Sequence, residues 1–182
     1  MDRGLSVSWD RYPYLAGCTV LSAVLPGWTF NEGADALVRN LSDPSFRKRF
    51  HREFEKGLDV WHNRQISVGW DNIVVTSVES GKNKWMQGLS CADIASAEKK
   101  NPVDAVCDLL SEEKLAVTMI SFYGSEDVLE KILVHPRATV GSDGIYCGKP
   151  HPRLYGTFPR FLRDFCFDTS RLSLEAAVKK IT

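Results

Sequence analysis

The sequence predicts an α/β fold whose strands form a parallel sheet covered on both faces by helices. Two observations carry this. The stretches AVTMISF (116–122) and ATVGSD (138–143) run apolar without the polar alternation of a half-solvated strand. The segments around them carry helical spacing and helix-start signals, so strands and helices alternate along the chain. No segment repeats and none is of low complexity, so all 182 residues are read as one domain, long enough to bury a core.

Taken in order, LSVSWDRY places Leu5, Val7 and Trp9 at alternating positions and predicts a first strand, which Pro13 and Gly17 end in a loop. From about Val20 to Gly69 the pattern becomes helical. Ala34, Leu37, Val38 and Leu41 recur at helical intervals, and Asp43 with Pro44 reads as an N-cap and first helical position. Phe46, Phe50 and Phe54 then fall four apart on one face, opposite a basic stripe. Glu53 and Glu55 among those cations point to a solvated face rather than a phosphate site. Trp70–Val78 reads as a β-branched strand, followed by helices beginning near Ser90 and at Asn101-Pro102. Beyond AVTMISF, a short helix capped near Ser125 leads to ATVGSD. TFPRFLRDFC (157–166) and LSLEAAVKKI (172–181, with Ser173 as cap) predict two closing helices.

Composition excludes several classes of function. Lys+Arg and Asp+Glu balance at 23 each, which argues against the basic footprint of a nucleic-acid binder. No apolar run reaches the length of a membrane span and no apolar h-region follows the N-terminus, so a cytoplasmic protein with no membrane partner is expected. The five cysteines are scattered and never paired as CxxC, a pattern of reduced thiols. His51, His62, His135 and His151 form no HxH, HxxxH or HExxH motif, so no metal site is predicted from these residues. GxSxG, phosphate-loop and GxGxxG motifs are equally absent. A Cys147–His151 nucleophile pair lacks a positioned base and an oxyanion donor.

In parallel α/β folds ligands bind beyond the carboxyl ends of strands. Asp143, followed by Gly144, stands at such an end; Tyr12 and Tyr14 close the first strand, and Phe122, Tyr123 and Gly124 another. Asp before Gly is also ordinary turn chemistry, so both readings stand for Asp143. His151, Arg153 and Arg160 follow within seventeen residues. An Arg fork beside a Tyr hydroxyl suits a carboxylate ligand. Arg153, held after Pro152, is favoured for that role, whereas Arg160 is expected to pair with Asp164 or Asp168.

DRYPYLAGCTVLSAVLPGW (10–28), NPVDAVCDLL (101–110), VGSDG (140–144), HPRLYGTFPRFLRDF (151–165) and LSLEAAVKKIT (172–182) together resemble the C-terminal part of the N-acyl-D-amino-acid deacylases, or D-aminoacylases. These are zinc-dependent members of the amidohydrolase superfamily with a (β/α)8 TIM barrel. The resemblance spans Gly4 to Thr182, and HPR-x-YGTFPR at this distance after GSDG is its most specific part. It implies the C-terminal portion of such a barrel, with about 20–69 as a helical lid insertion. It implies that Asp143 is the general base toward a zinc-bound water and then the general acid toward the leaving amine. Arg153 and Tyr12 would hold the α-carboxylate of an N-acyl-D-amino acid substrate, with Cys18, Gly124 and His151 completing the binding residues. Two departures concern substrate preference. Cys18 stands where the family usually has Ser, and Gly124-Ser125-Glu126 where many members have Met-Ser-Glu.

A complete barrel takes about 250 residues. The resemblance therefore implies a partial barrel, inactive by itself, whose zinc ligands would lie upstream of Met1. Its unpaired strand edges lead us to expect self-association, or a partner that completes the barrel. The other readings are a non-catalytic association module and a domain that binds small anions.

Overall fold

A computed structural model describes residues 4–56, 67–146 and 150–182. They divide into two compact units. One comprises the described residues of Met1–Ala16, Gly124–Tyr146 and Pro150–Thr182, and the other those of Gly17–Tyr123. His62 and Cys147 lie outside the described residues.

The Gly17–Tyr123 unit holds a three-stranded sheet of order β2-β4-β3, built from β2 (Ala16–Val20), β3 (Ile73–Ser77) and β4 (Thr118–Phe122). Its helices are α1 (Ala34–Asn40), α2 (Pro44–Lys56), α3 (Cys91–Glu98) and α4 (Pro102–Glu112). The starts follow the sequence signals. Asp43 accepts the Phe46 amide at 2.8 Å, Ser90 and Asp93 form a reciprocal capping box, and Asn101 caps α4 ahead of Pro102. Phe50 and Phe54 bury the apolar face of α2 within a core that also takes in Leu37, Ile73, Leu109 and Met119. Part of the basic stripe of α2 is paired within the same unit. Arg47 pairs with Asp108 and with Asp104 (3.5 Å), and His51 Nε2 lies 3.1 Å from Asp104.

The parallel sheet expected from the sequence is corrected here: β3 and β4 run antiparallel, with Ile73 opposite Ser121 and a bulge between Val75 and Ser77. The reason lies in the connection. A single crossover helix carries the chain back to the end where the first strand began, giving a parallel neighbour. Two successive helices, α3 and α4, bring it back instead to the end where β3 stopped, so β4 runs antiparallel. Gly17, expected in a loop, lies within β2. Cys18, Cys91, Cys107 and Cys166 carry reduced thiols, and burial pushes Cys91 and Cys107 up to about 12, leaving them inert at neutral pH.

The other unit is built on one parallel pair, β1 (Trp9–Asp10) and β5 (Ala138–Thr139), in the register Trp9–Ala138 and Asp10–Thr139. Helices α5 (Glu126–Val134), α6 (Arg153–Leu162) and α7 (Leu174–Ile181) surround it, and α6 continues into a π-helical turn, Arg163–Phe167. Leu133, Val140, Phe161, Phe165 and Ala177 form its core. The buried Lys180 ammonium donates to the carbonyls of His135 (2.6 Å) and Ala138 (3.0 Å), and desolvation lowers its pKa. That bond and Val140 N to Lys180 O (2.8 Å) tie α7 to the strand that leads to Asp143. The strand expected from Leu5 is much shorter: Leu5 and Val7 are exposed, and only Trp9 and Asp10 enter the ladder.

Candidate carboxylate and proton-transfer site

The sequence placed Tyr12 and Asp143 beyond the carboxyl ends of two strands, and β1 and β5 lie side by side in parallel. The Arg11 amide extends the ladder to Thr139 O at 3.1 Å, so Tyr12 emerges from the sheet at the end from which the Gly141–Gly144 loop departs. Asp143 adopts φ +45°, a left-handed conformation that Asp tolerates better than most residues. At Gly144 a Cβ would meet Leu154 Cδ1 at 2.8 Å, so a glycine lets the loop pass close to the start of α6.

HPR, expected in a loop, instead enters a helix. Pro152 has φ −52° and ψ −22°, already helical, and Arg153 is the first residue of α6. His151 Nδ1 accepts the Arg153 backbone N–H at 3.0 Å, taking up one of the orphan donors of the helix start. Burial lowers the His151 pKa, and the Arg153 and Arg160 cations lower it further. Because Nδ1 accepts the Arg153 amide, the proton of a neutral ring belongs on Nε2. Thr157 returns a bond to Arg153 O at 2.7 Å.

This entry buries the guanidinium of Arg153. Its side chain is 1% exposed, and Nη2 lies 2.9 Å from Oδ2 of Asp143, whose own side chain is 61% exposed. A buried cation needs an anion beside it, and Asp143 is that anion. The Arg153 guanidinium also lies 4.6 Å from the centre of the Tyr12 ring. The structure therefore brings Tyr12, Asp143, His151 and Arg153 together, with Tyr12 and His151 ring centres 6.3 Å apart.

Three residues given no binding role from the sequence also join this cluster. Arg11 lies over the Tyr12 ring at 4.2 Å and donates to Tyr14 O at 3.0 Å. Tyr14 meets His151 edge-on at 5.1 Å and carries the Arg160 guanidinium over its ring at 4.6 Å. Arg160 also pairs with Asp164 at 3.1 Å, as expected. The signal for Arg11 and Tyr14 was their place on either side of Tyr12 in DRYPY, which has little meaning until the partners across the fold are known.

Gly124 donates its amide to Leu15 O at 2.7 Å, and a Cβ there would lie 2.5 Å from Leu15 Cα. That close backbone approach needs a residue without a Cβ at 124. Cys18 lies buried in β2 of the other unit. Among the described residues, no three His, Cys, Asp or Glu side chains gather closely enough to hold a metal ion. Among those residues, too, no helix is long and apolar enough to cross a membrane.

Comparison with known proteins gives this geometry a context. No protein-family model matches the chain. It is 34% identical over 98 residues to a D-aminoacylase of Alcaligenes xylosoxydans xylosoxydans, a match covering 53% of this chain and 19% of that protein. It is 42% identical over 64 residues to the N-acyl-D-aspartate deacylase of the same organism, covering 35% of this chain and 13% of that protein. A solved D-aminoacylase, described as defining a novel subset of amidohydrolases, superposes with a TM-score of 0.62 at 26% identity, over 97% of this chain and 27% of that one. The N-acyl-D-glutamate deacylase of Bordetella bronchiseptica, solved with zinc and a phosphonate mimic of the tetrahedral intermediate, shares the fold with a TM-score of 0.61 over 100% of this chain and 28% of its own. The chain spans about a quarter or less of the length of these relatives. The chain is related to the D-aminoacylases, the N-acyl-D-amino-acid deacylase family, as a mixed α/β segment whose described residues close no barrel.

Proposed function

We propose that this chain supplies the proton-transfer carboxylate and the substrate-carboxylate clamp of an N-acyl-D-amino-acid deacylase, and that it does not turn over substrate by itself. The pairing of buried Arg153 with exposed Asp143 at 2.9 Å, beside Tyr12, carries this reading. Arg153 offers a fixed cation to the α-carboxylate, and Tyr12 lies against the same guanidinium. Asp143 takes the proton of the attacking water as its oxygen adds to the amide carbonyl. It returns that proton to the nitrogen as the C–N bond breaks, releasing a carboxylic acid and a D-amino acid. The described residues do not form a cage for zinc, so a metal in the complete enzyme would be held by other residues. The proposal extends to 20–69 as a lid insertion and to zinc as the cofactor of that enzyme.

Amine release from N-acetyl-D-amino acids is the direct test. The chain alone, with Zn²⁺, is expected to show no turnover. Substituted for the matching segment of the Alcaligenes D-aminoacylase, it is expected to support hydrolysis, with Asp143→Asn lowering kcat about 10²- to 10⁴-fold. An active chimera indifferent to Asp143→Asn would overturn the assignment.

Association is a second reading, favoured by exposed Leu5, Val7, Tyr155, Phe158 and Phe167 in the unit that holds the site. It predicts concentration-dependent mass in sedimentation, reduced by Tyr155→Lys with Phe158→Glu. A monomer at all concentrations would rule out self-association.

A further inference from the structure

The two roles assigned to Arg153 and Asp143 conflict in the structure as it stands. The guanidinium of Arg153 already bonds Asp143 through Nη2, so a ligand's carboxylate that takes Nη2 must displace Asp143. A carboxylate already bonded to a guanidinium has an oxygen committed to that bond rather than to a water proton. We propose that Asp143 and Arg153 form a latch opened by the substrate's own carboxylate, which takes the place of Asp143 on Nη2 and releases Asp143 for proton transfer. This rests on the reading of Arg153 as the carboxylate clamp.

The surroundings favour an exchange of this kind. Arg153 is buried and anchored through Tyr12, His151 and Thr157, so it is the fixed partner. Asp143 is exposed, sits at φ +45° and is followed by Gly144, so its side chain has solvent to move into. The buried cation keeps an anion beside it before and after, which avoids the cost of stranding the charge. One charge-assisted bond replaces another of the same kind, so the exchange is near balance and set by ligand concentration. The latch also discriminates. A neutral amide or ester cannot compensate the guanidinium, so it leaves Asp143 in place. An N-acyl amine without an α-carboxylate would therefore fail to release the acid–base residue.

The test uses the 182-residue chain and two probes, N-acetyl-D-alanine and its carboxamide, titrated by NMR or calorimetry. Asp143→Asn keeps the side-chain shape, and Asn tolerates positive φ, so the change is confined to the charge beside Arg153; circular dichroism checks that the variant is folded before it is titrated. If Asp143 competes for Arg153, Asp143→Asn binds N-acetyl-D-alanine roughly three- to tenfold more tightly than the parent, with no change for the carboxamide. Arg153→Lys, which keeps the charge but loses the fork, weakens the carboxylate probe in either background. Equal or weaker binding by Asp143→Asn overturns the latch and leaves the clamp standing. Failure of both folded proteins to prefer the carboxylate over the carboxamide overturns the clamp, and the latch with it.

Discussion

Phe50→Ala is expected to lower the unfolding free energy by about 3–5 kcal/mol, the range for emptying a well-packed aromatic site. Phe50 is fully buried, meets Phe54 edge-on at 4.6 Å and lies 6.3 Å from Phe46. The three residues face one way because they fall four apart on α2. Phe54 in turn stacks on Trp70 at 5.4 Å, carrying the aromatic cluster to the start of β3. Urea unfolding followed by circular dichroism checks this through the shift in midpoint. Phe50→Leu should recover most of the loss, whereas Phe46→Ala, at a half-buried position, should cost less than Phe50→Ala. A Phe50→Ala cost below about 1 kcal/mol would mean that this face of α2 is not the core of its unit.

Glu113 is the second position of large effect. It is 5% exposed, and its carboxylate accepts the Glu79 amide (2.7 Å), the Ser80 amide (3.0 Å), the Ser80 hydroxyl and Asn83 Nδ2 (2.7 Å). Desolvation works to raise its pKa, but the bonds from Ser80, Asn83 and Glu79 prevail and bring it down to about 2. The folded state thus holds the proton less tightly than the unfolded chain does. The resulting stabilisation is complete above the ordinary Glu value of 4.5 and is lost as pH falls toward 2. Its size is at most about 3 kcal/mol. Glu113→Ala leaves buried donors without an acceptor and should cost about as much at neutral pH. It should also flatten the fall in stability between pH 4.5 and 2. An unchanged acid profile in urea titrations at several pH values would show that Glu113 does not carry that dependence.

What the sequence determined by itself was local chemistry. The caps at Asp43, Ser90, Asn101 and Ser173 bond as their residue types require, because a cap and its target amide lie within three residues of each other. The Phe spacing of α2 and the Arg160–Asp164 pair follow from helical geometry alone. The motif GSDG…HPR singled out Asp143 and Arg153, and they lie side by side. Strand direction depends instead on what comes between strands. The apolar runs of β3 and β4 read the same in either direction, and the paired helices α3 and α4 made them antiparallel. The helical start at Pro152 likewise turned an expected loop into the first turn of α6, burying the Arg153 cation. Only tertiary structure decided that Asp143 would be the anion beside that cation, and that Tyr12 and Tyr14 would each carry a guanidinium over the ring. Tyr12 and Arg153 are more than a hundred residues apart in the chain, and no local rule of spacing operates over that distance.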